Sequence, residues 1–444
     1  MNVLIAYVQW FIGWPLIAYV AMVGLAYTIA LRAIQFRYFF YSCYITLFPS
    51  EHQDKSGKIG GPATTPIQAF INTLSTGVGN GSLAGMATAI HAGGPGAAFW
   101  VLAFGVLLMA VRFVEVYISV IYAAKTDRPM LLGGPMLYLK SVPGGKVLSF
   151  VYAISCLCLG LTLGSCMQAN SIAVSAYATW GTSTYITSAL LTLFILYVLC
   201  GGSDRVSQVT SKLVPFNLAI FFLASFSLLI YHWSGLFEAM RLIFVSAFNP
   251  VSAIGGMLGF SVQQAIRLGM TRSVMATESG LGTAAILFGF TGSNAAIRDA
   301  CMSMLSTFIS SLICFMLAVC IVVSGVWTTG LDSTALTGAA FNTVFCSFGG
   351  YLVSFLSLSF GVSVMVGYVY ITRATWMFLT GGRFIYGITI LYAASVAIGA
   401  LVKVGVVWGA AEIVTAIMLC INLFGLLWLL PEVIQRLTYD EKRL

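Results

Sequence analysis

Long apolar runs alternate with short polar gaps along the whole chain. Each run is close to the ~20 residues an α-helix needs to cross a bilayer. The pattern predicts eleven spans, at 9–31, 66–92, 94–124, 147–176, 184–199, 206–232, 251–268, 300–327, 348–371, 384–402 and 404–430. The second run differs from the rest, because its centre reads NTLSTGVGNGSLAG over 72–85. Glycine inside a helix costs ~1 kcal/mol relative to alanine. Gly77, Gly79 and Gly81 at alternate positions therefore predict an opened backbone. In lipid that is tolerated only where protein or a watery cavity satisfies the exposed peptide groups. The same glycines suit close helix packing, and the stretch alone leaves both readings open.

The seventh run, NPVSAIGGMLGFSVQQAI, is interrupted in turn by Gly255, Gly256 and Gly259. It follows the first interrupted run by five spans, so the two cross the membrane in opposite directions. That is the sequence sign of an inverted repeat with a substrate site between two unwound segments. Two unrelated glycine-packed helices are the alternative. The expected organisation is a single transporter domain: an extra N-terminal helix (1–37), a five-helix repeat (66–232), its inverted partner (246–430) and a tail (431–444).

Composition fits a multi-pass membrane protein: 59% of the 444 residues are hydrophobic and 8% charged, against about 25% charged in soluble domains. The formal charge of +8 is no nucleic-acid signal, because the basic residues sit between the apolar runs. Eighteen of the 21 lysines and arginines fall in the odd-numbered gaps and the tail. Only Arg241 and Lys403 face the other way, and Arg112 lies inside a span. The positive-inside rule then places the N-terminus outside and the C-terminus in the cytoplasm of a cell (inner) membrane. The start, MNVLIAYVQWFIGWPL, lacks the basic region of a cleavable signal. Ten cysteines without zinc-ligand spacing and three histidines point to buried, inert thiols, with no resident cofactor. Between the spans, 234–245 is amphipathic, 328–345 has the length of a lid, and 271–299 is polar enough to line a crevice.

Several segments carry a family resemblance. AGMATAIHAGGPGAAFW (84–100), GGPMLYL (133–139), QANSIA (168–173) and RSVMATESGLGTA (272–284) resemble collinear motifs of the alanine/glycine:cation symporter family. The resemblance implies the amino-acid–polyamine–cation transporter fold: about eleven helices, one N-terminal helix plus a 5+5 inverted repeat with two discontinuous helices. It also implies symport of a small neutral amino acid, alanine or glycine, with a cation, sodium in the first instance. The departures mark a divergent member. The family's GTGN is GNGS here (79–82), and its FTT aligns with Val362, Ser363 and Val364. The Asn before its Glu is Thr277, a Trp is Tyr368, and a Gly-Glu is Thr372-Arg373.

A zwitterion's carboxylate suits the free N–H groups of a half-helix N-terminus, and its ammonium suits unwound carbonyls. Neither requires a charged side chain, and Arg112, Glu115 and Glu412 are the few ionisable groups inside spans, so a neutral amino acid fits best. The expected substrate contacts are Thr76, Gly77, Gly79, Asn80, Gly81 and Gln168, with Gly255, Gly256 and Gly259 opposite and Tyr368 as a wall. Gln168 equally suits an interhelical hydrogen bond. For Na⁺ the expected oxygens come from Thr76, Gly79, Ser359 and Ser363. Proton coupling would instead call on Glu115 or Glu412, although Arg112 and Glu115 are three apart on one helix face and suit a structural ion pair. Glu278 is expected at a cytoplasmic gate with Arg272 or Arg267. A proton-coupled or uncoupled carrier of another small metabolite is the runner-up. A channel lacks its repeated pore-lining element, and a membrane-embedded enzyme lacks a His/Asp/Glu or Ser/His constellation.

Overall fold

The second run folds as two half-helices rather than one. In a computed structural model, which describes residues 13–48, 65–124, 133–249, 251–252, 259–260, 262–402 and 404–442, the chain opens with α1 (Trp14–Ala30), α2 (Ile34–Arg37) and α3 (Phe39–Leu47). Next come α4 (Pro66–Gly77) and α5 (Asn80–Gly93), separated by extended Val78 and Gly79. Thr65 starts α4 through a reciprocal capping box with Gln68, and Pro66 occupies the first turn, where its missing N–H costs nothing.

α6 (Gly96–Ala124) is a 29-residue helix with a fully buried middle. After α7 (Pro135–Tyr138) the fourth run forms α8 (Gly145–Leu161), a π-helical turn at Thr162–Cys166, and α9 (Met167–Trp180). α10 (Thr184–Cys200) and α11 (Gly202–Tyr231) follow. The amphipathic stretch expected near 234–245 is a helix, α12 (Trp233–Phe248).

The seventh span is where the sequence-based expectation fails. Val251–Ser252 and Gly259–Phe260 form a short antiparallel bridge, β1–β2, in which Gly259 pairs with Ser252. Gly255 and Gly256 lie outside the described residues. The helix begins only afterwards, as α13 (Val262–Thr277), and resumes as α14 (Thr283–Gly289). The interruption therefore falls at 278–282, inside the segment expected to be a crevice. α13 was illegible by hydropathy because Gln263, Gln264, Arg267 and Arg272 dilute it. Its buried face is a small-residue stripe, Ala265, Gly269 and Ser273, at every fourth position. A Cβ on Gly269 would come within 2.6 Å of Trp100 Cβ on α6, which is close helix packing through small residues. The shift also takes Arg267 and Arg272 out of the basic gap and onto a half-helix, leaving Arg298 as that gap's basic residue.

The rest of the chain is α15 (Ala296–Val323), α16 (Ser333–Phe345), α17 (Phe348–Thr380), α18 (Ile385–Gly399) and α19 (Val404–Glu441). α16 is the helix of the expected lid, capped by Asp332 and tied to α5 by Thr337 Oγ1 donating to Leu83 O at 3.2 Å. The tail at 431–441 is a continuation of the last helix through Pro431. Tyr117 and Tyr122 of α6 hold it by donating to Asp440 (2.7 Å) and Glu432 (3.0 Å). Among the described residues, six stretches have the length and apolarity to cross a membrane, and the shorter α1, α10 and α18 are apolar too. The two interrupted pairs, α4/α5 and α13/α14, pack against α6, α15 and α17 at the centre.

Candidate functional site

The two interruptions meet. A Cβ on Gly77 would lie 2.9 Å from the Ala276 carbonyl oxygen, so the end of α4 abuts the end of α13. The first break therefore faces the α13–α14 interruption near Ala276, and this redraws the second wall expected from Gly255, Gly256 and Gly259. The residues opposite Gly77 are those around Ala276–Gly282. Gly259 lies beyond the start of α13, whose 16 residues span roughly 24 Å.

The first break is dense. Thr76 and Asn80 are buried, and a Cβ on Gly79 would reach within 2.5 Å of Val364 Cγ2 on α17 and 3.4 Å of Gln168 Oε1 on α9. Gly81 meets only Met167 Cε, at 3.8 Å. Asn80 donates its backbone N–H to Gln168 Oε1 (3.3 Å), and its Oδ1 accepts from Ser357 (2.7 Å). Gln168 Nε2 donates to Leu163 O at 3.2 Å, a carbonyl in the π-turn. Of the two roles open to Gln168, the structure shows the interhelical one: it caps α5 from α9.

The second break is built from left-handed backbone. Glu278 has φ +54°, Gly280 +91° and Gly282 +83°. Glycine adopts such angles without strain, whereas Glu278 must be held there. Its surroundings supply the missing backbone partners. Arg112 Nη2 donates to Thr277 O, Asn422 Nδ2 to Gly280 O (2.9 Å) and Tyr152 OH to Leu281 O (2.7 Å). Gly282 N–H donates to Glu115 Oε1 at 2.9 Å, which also accepts from Asn422 (2.7 Å). Arg112 and Glu115 are 3.6 Å apart, so they form the expected ion pair. Its purpose is legible only in three dimensions, because one member serves the carbonyl end of the break and the other its N–H end. Glu412 stands elsewhere, on a cleft of about 360 Å³ beside α1 with Arg267.

Glu278 is the group the sequence placed wrongly. Its carboxylate accepts from Tyr368 OH and from Thr283 Oγ1 (2.9 Å), and it lies within reach of the Thr76 hydroxyl and the field of Arg112. It thus joins both breaks and α17 rather than standing at the expected gate; its partners among the described residues are Tyr368, Thr283, Thr76 and Arg112. Arg272 instead lies over Gly85 of α5, where a Cβ would come within 3.0 Å of Nη1. Tyr368 is fully buried and rests on the π-turn; a Cβ on Gly164 would approach its Cγ to 2.4 Å.

Of the expected cation ligands, Ser359 and Ser363 share one partner, Asn217. Ser75 Oγ donates to Ser363 O at 2.5 Å, tying α4 to α17. Ser363 Oγ accepts from Asn217 Nδ2 (3.1 Å), and Ser359 donates to Asn217 Oδ1. Asn217 of α11 is thus a neutral oxygen donor in the cluster that sequence reasoning missed. The available signal was a lone amide in an apolar run, which also marks Asn422. Both are fully buried, and a buried amide requires partners.

Comparison with known proteins agrees with this geometry. The chain is 31% identical over 429 residues to the uncharacterized transporter YflA of Bacillus subtilis, covering 96% of this chain and 90% of that one. It is 29% identical over 389 residues to the sodium/alanine symporter AgcS of Methanococcus maripaludis, covering 86% and 84%. Among solved structures, a Na⁺-coupled sialic acid symporter in a substrate-bound outward-open state superposes with TM-score 0.56 at 9% identity, covering 94% of this chain and 87% of that one. That likeness shows the fold alone, an all-helical inverted-repeat architecture. The sodium:alanine symporter family model matches residues 1–443, and the chain belongs to that family of secondary transporters.

Proposed function

We propose that the protein carries a small neutral amino acid, alanine or glycine, together with Na⁺, by alternating access. The coarser statement, a transporter for cation-coupled amino-acid uptake, follows from the family. The observation that carries the finer one is the meeting of the two breaks around Thr76, Gly77, Ala276 and Glu278.

The Gly81 N–H at the start of α5, joined by that of Asn80 when Gln168 releases it, and carbonyls at the end of α4 offer a zwitterion its two partners without a charged side chain. Close approach at Gly77 and Gly79 leaves space for a small side chain only. At the breaks the buried charged side chains, with carboxylates ionised, are Arg112 against Glu115 and Glu278, one negative charge in excess, while buried Asp299 is paired with Arg298. A co-carried monovalent cation with a net-neutral amino acid cancels that excess. Thr76 and Gly79 carbonyls with Ser359, Ser363 and Asn217 oxygens supply the neutral donors that a hard cation takes. The basic gaps and tail orient the C-terminus toward the cytoplasm of the cell (inner) membrane.

A proton on Glu278 or Glu115 would cancel the same excess, which makes proton coupling the second reading. The test is alanine uptake into proteoliposomes at fixed pH, with choline replacing Na⁺. Sodium coupling predicts collapse of concentrative uptake. Unchanged uptake that instead follows an imposed pH gradient transfers the coupling role to the carboxylates.

A further inference from the structure

We infer that the cleft between α1, α13 and α19 binds a zwitterionic glycerophospholipid of the outer leaflet, a phosphatidylethanolamine, by its headgroup and the start of one acyl chain. The cleft measures about 360 Å³, room for roughly twelve waters at ~30 Å³ each. That suits a headgroup and glycerol, with the rest of the lipid lying in the surrounding bilayer. The inference is independent of which amino acid or cation the breaks carry.

The lining is graded in polarity. As odd-numbered spans, the three helices cross the bilayer in one direction, so sequence order along each is depth. On α13 the order is Arg267, Thr271, Val274, and on α19 it is Glu412, Thr415, Leu419, while α1 adds apolar wall. Charges come first, hydroxyls about one turn deeper, and apolar side chains below them. From Arg267 to Val274, and from Glu412 to Leu419, the rise is roughly 10 Å. A phospholipid presents the same series: charged headgroup, ester oxygens, hydrocarbon. On the orientation proposed above, the charged end faces the outer leaflet.

Arg267 and Glu412 have opposite signs, yet neither forms a salt bridge among the described residues. Glu412 feels Arg272 at longer, Coulombic range. A phosphate on the Arg267 guanidinium and a primary ammonium on the Glu412 carboxylate give each a charge-assisted hydrogen bond. Thr415 is the second, independent sign. It is only 6% exposed, it lines the cleft, and its hydroxyl has no hydrogen-bond partner among the described residues. Thr271 instead donates to Arg267 O at 2.8 Å, the back-bond open to a helical threonine. A buried hydroxyl without a partner is costly. An ester carbonyl one turn below the headgroup accepts from Thr415, and its chain covers the floor at Val274 and Leu419. A free amino acid offers both charges but leaves that floor bare. Val274 and Met275, also in the lining, lie within three residues of Thr277, so an occupied cleft braces the half-helix that leads into the second break.

The test is native mass spectrometry of the purified full-length protein in detergent, titrated with lipids of matched chains carrying ethanolamine, choline or glycerol headgroups. Phosphatidylethanolamine is expected to form one saturable adduct per chain, at least fivefold tighter than the other two. Phosphatidylcholine has no N–H to donate, and phosphatidylglycerol has no cation for Glu412. Arg267→Gln and Glu412→Gln should each remove the preference. Thr415→Val keeps the shape and loses the hydroxyl, so it should weaken the adduct several-fold and leave the melting temperature of delipidated protein unchanged. Soluble phosphoethanolamine, which lacks the chain, should compete at least a hundredfold more weakly than the lipid. Equal binding of the three lipids, or a preference that survives both charge substitutions, overturns the site. A preference for phosphatidylglycerol that falls with Arg267→Gln alone overturns the zwitterionic headgroup. Phosphoethanolamine competing as well as the lipid overturns the acyl-chain floor, and an adduct indifferent to Thr415→Val overturns the ester contact.

Discussion

Replacing Asn422 with leucine tests whether the second break is held open by its neighbours. The Asn422 side chain donates to Gly280 O (2.9 Å) and Glu115 Oε1 (2.7 Å) and accepts from Tyr138 OH (2.5 Å). Leucine matches its size and removes all three bonds. Glu115 keeps Gly282 N–H and Arg112, but Gly280 O and the Tyr138 hydroxyl lose the partner they have in the structure. An orphaned buried polar group costs ~1–3 kcal/mol, so Asn422→Leu should destabilise by ~2–6 kcal/mol. A side-chain tie between membrane helices, by contrast, averages only ~0.6 kcal/mol in double-mutant cycles. Tyr138→Phe takes the donor from Asn422 Oδ1 alone and leaves Gly280 O paired, so it should cost ~1–3 kcal/mol, about half as much. Unfolding free energies from SDS titration in mixed micelles separate the two. An Asn422→Leu cost no larger than that of Tyr138→Phe would refute the claim that α19 supports the break through its backbone.

Three further substitutions probe the site. Gly79→Ala drives a methyl to 2.5 Å from Val364 Cγ2, overpacking that costs ~1–3 kcal/mol; uptake should fall at least tenfold and return with Val364→Ala, and absence of rescue would place the damage elsewhere. Gly164→Ala pushes on Tyr368 Cγ from 2.4 Å and tilts the ring away from Glu278, so it should impair uptake more than Tyr368→Phe, measured in the same vesicles. Ser363→Ala leaves Asn217 Nδ2 without its acceptor and should raise the Na⁺ concentration for half-maximal uptake several-fold; an unchanged Na⁺ dependence removes Ser363 from the cation site.

The first break was one of two readings of glycines at alternate positions in an apolar run, opened backbone or close packing, and the chain opens at Val78–Gly79. The second was misplaced because two features misled together. Gly255 and Gly256 drew the expected interruption to a stretch outside the described residues, whereas α13, carrying Arg267 and Arg272, is too polar for hydropathy to detect. Glu278 compounded the error, since a carboxylate suggests a watery mouth. Here it is buried between Thr283, five residues on, and Tyr368 and Thr76, which lie some ninety and two hundred residues away in sequence. The same distance in sequence hid the reason for Arg112, Glu115 and Asn422. Each is an unusual residue on its own helix, and only the arrival of 277–282 from another supplies the backbone groups they serve. Motif spacing located the helices, but it carried no information on which polar groups close the open ends.

The central claim is that the opposed breaks at 76–80 and 277–282 form the transport site. The most direct measurement is a high-resolution map of the purified protein with alanine and Na⁺ bound. Ligand density is expected within hydrogen-bonding distance, about 3 Å, of backbone groups from both breaks, close to Glu278. Well-resolved ligand density that leaves both breaks unengaged, with Gln168 still capping Asn80 and no ligand between Gly77 and Ala276, would contradict it.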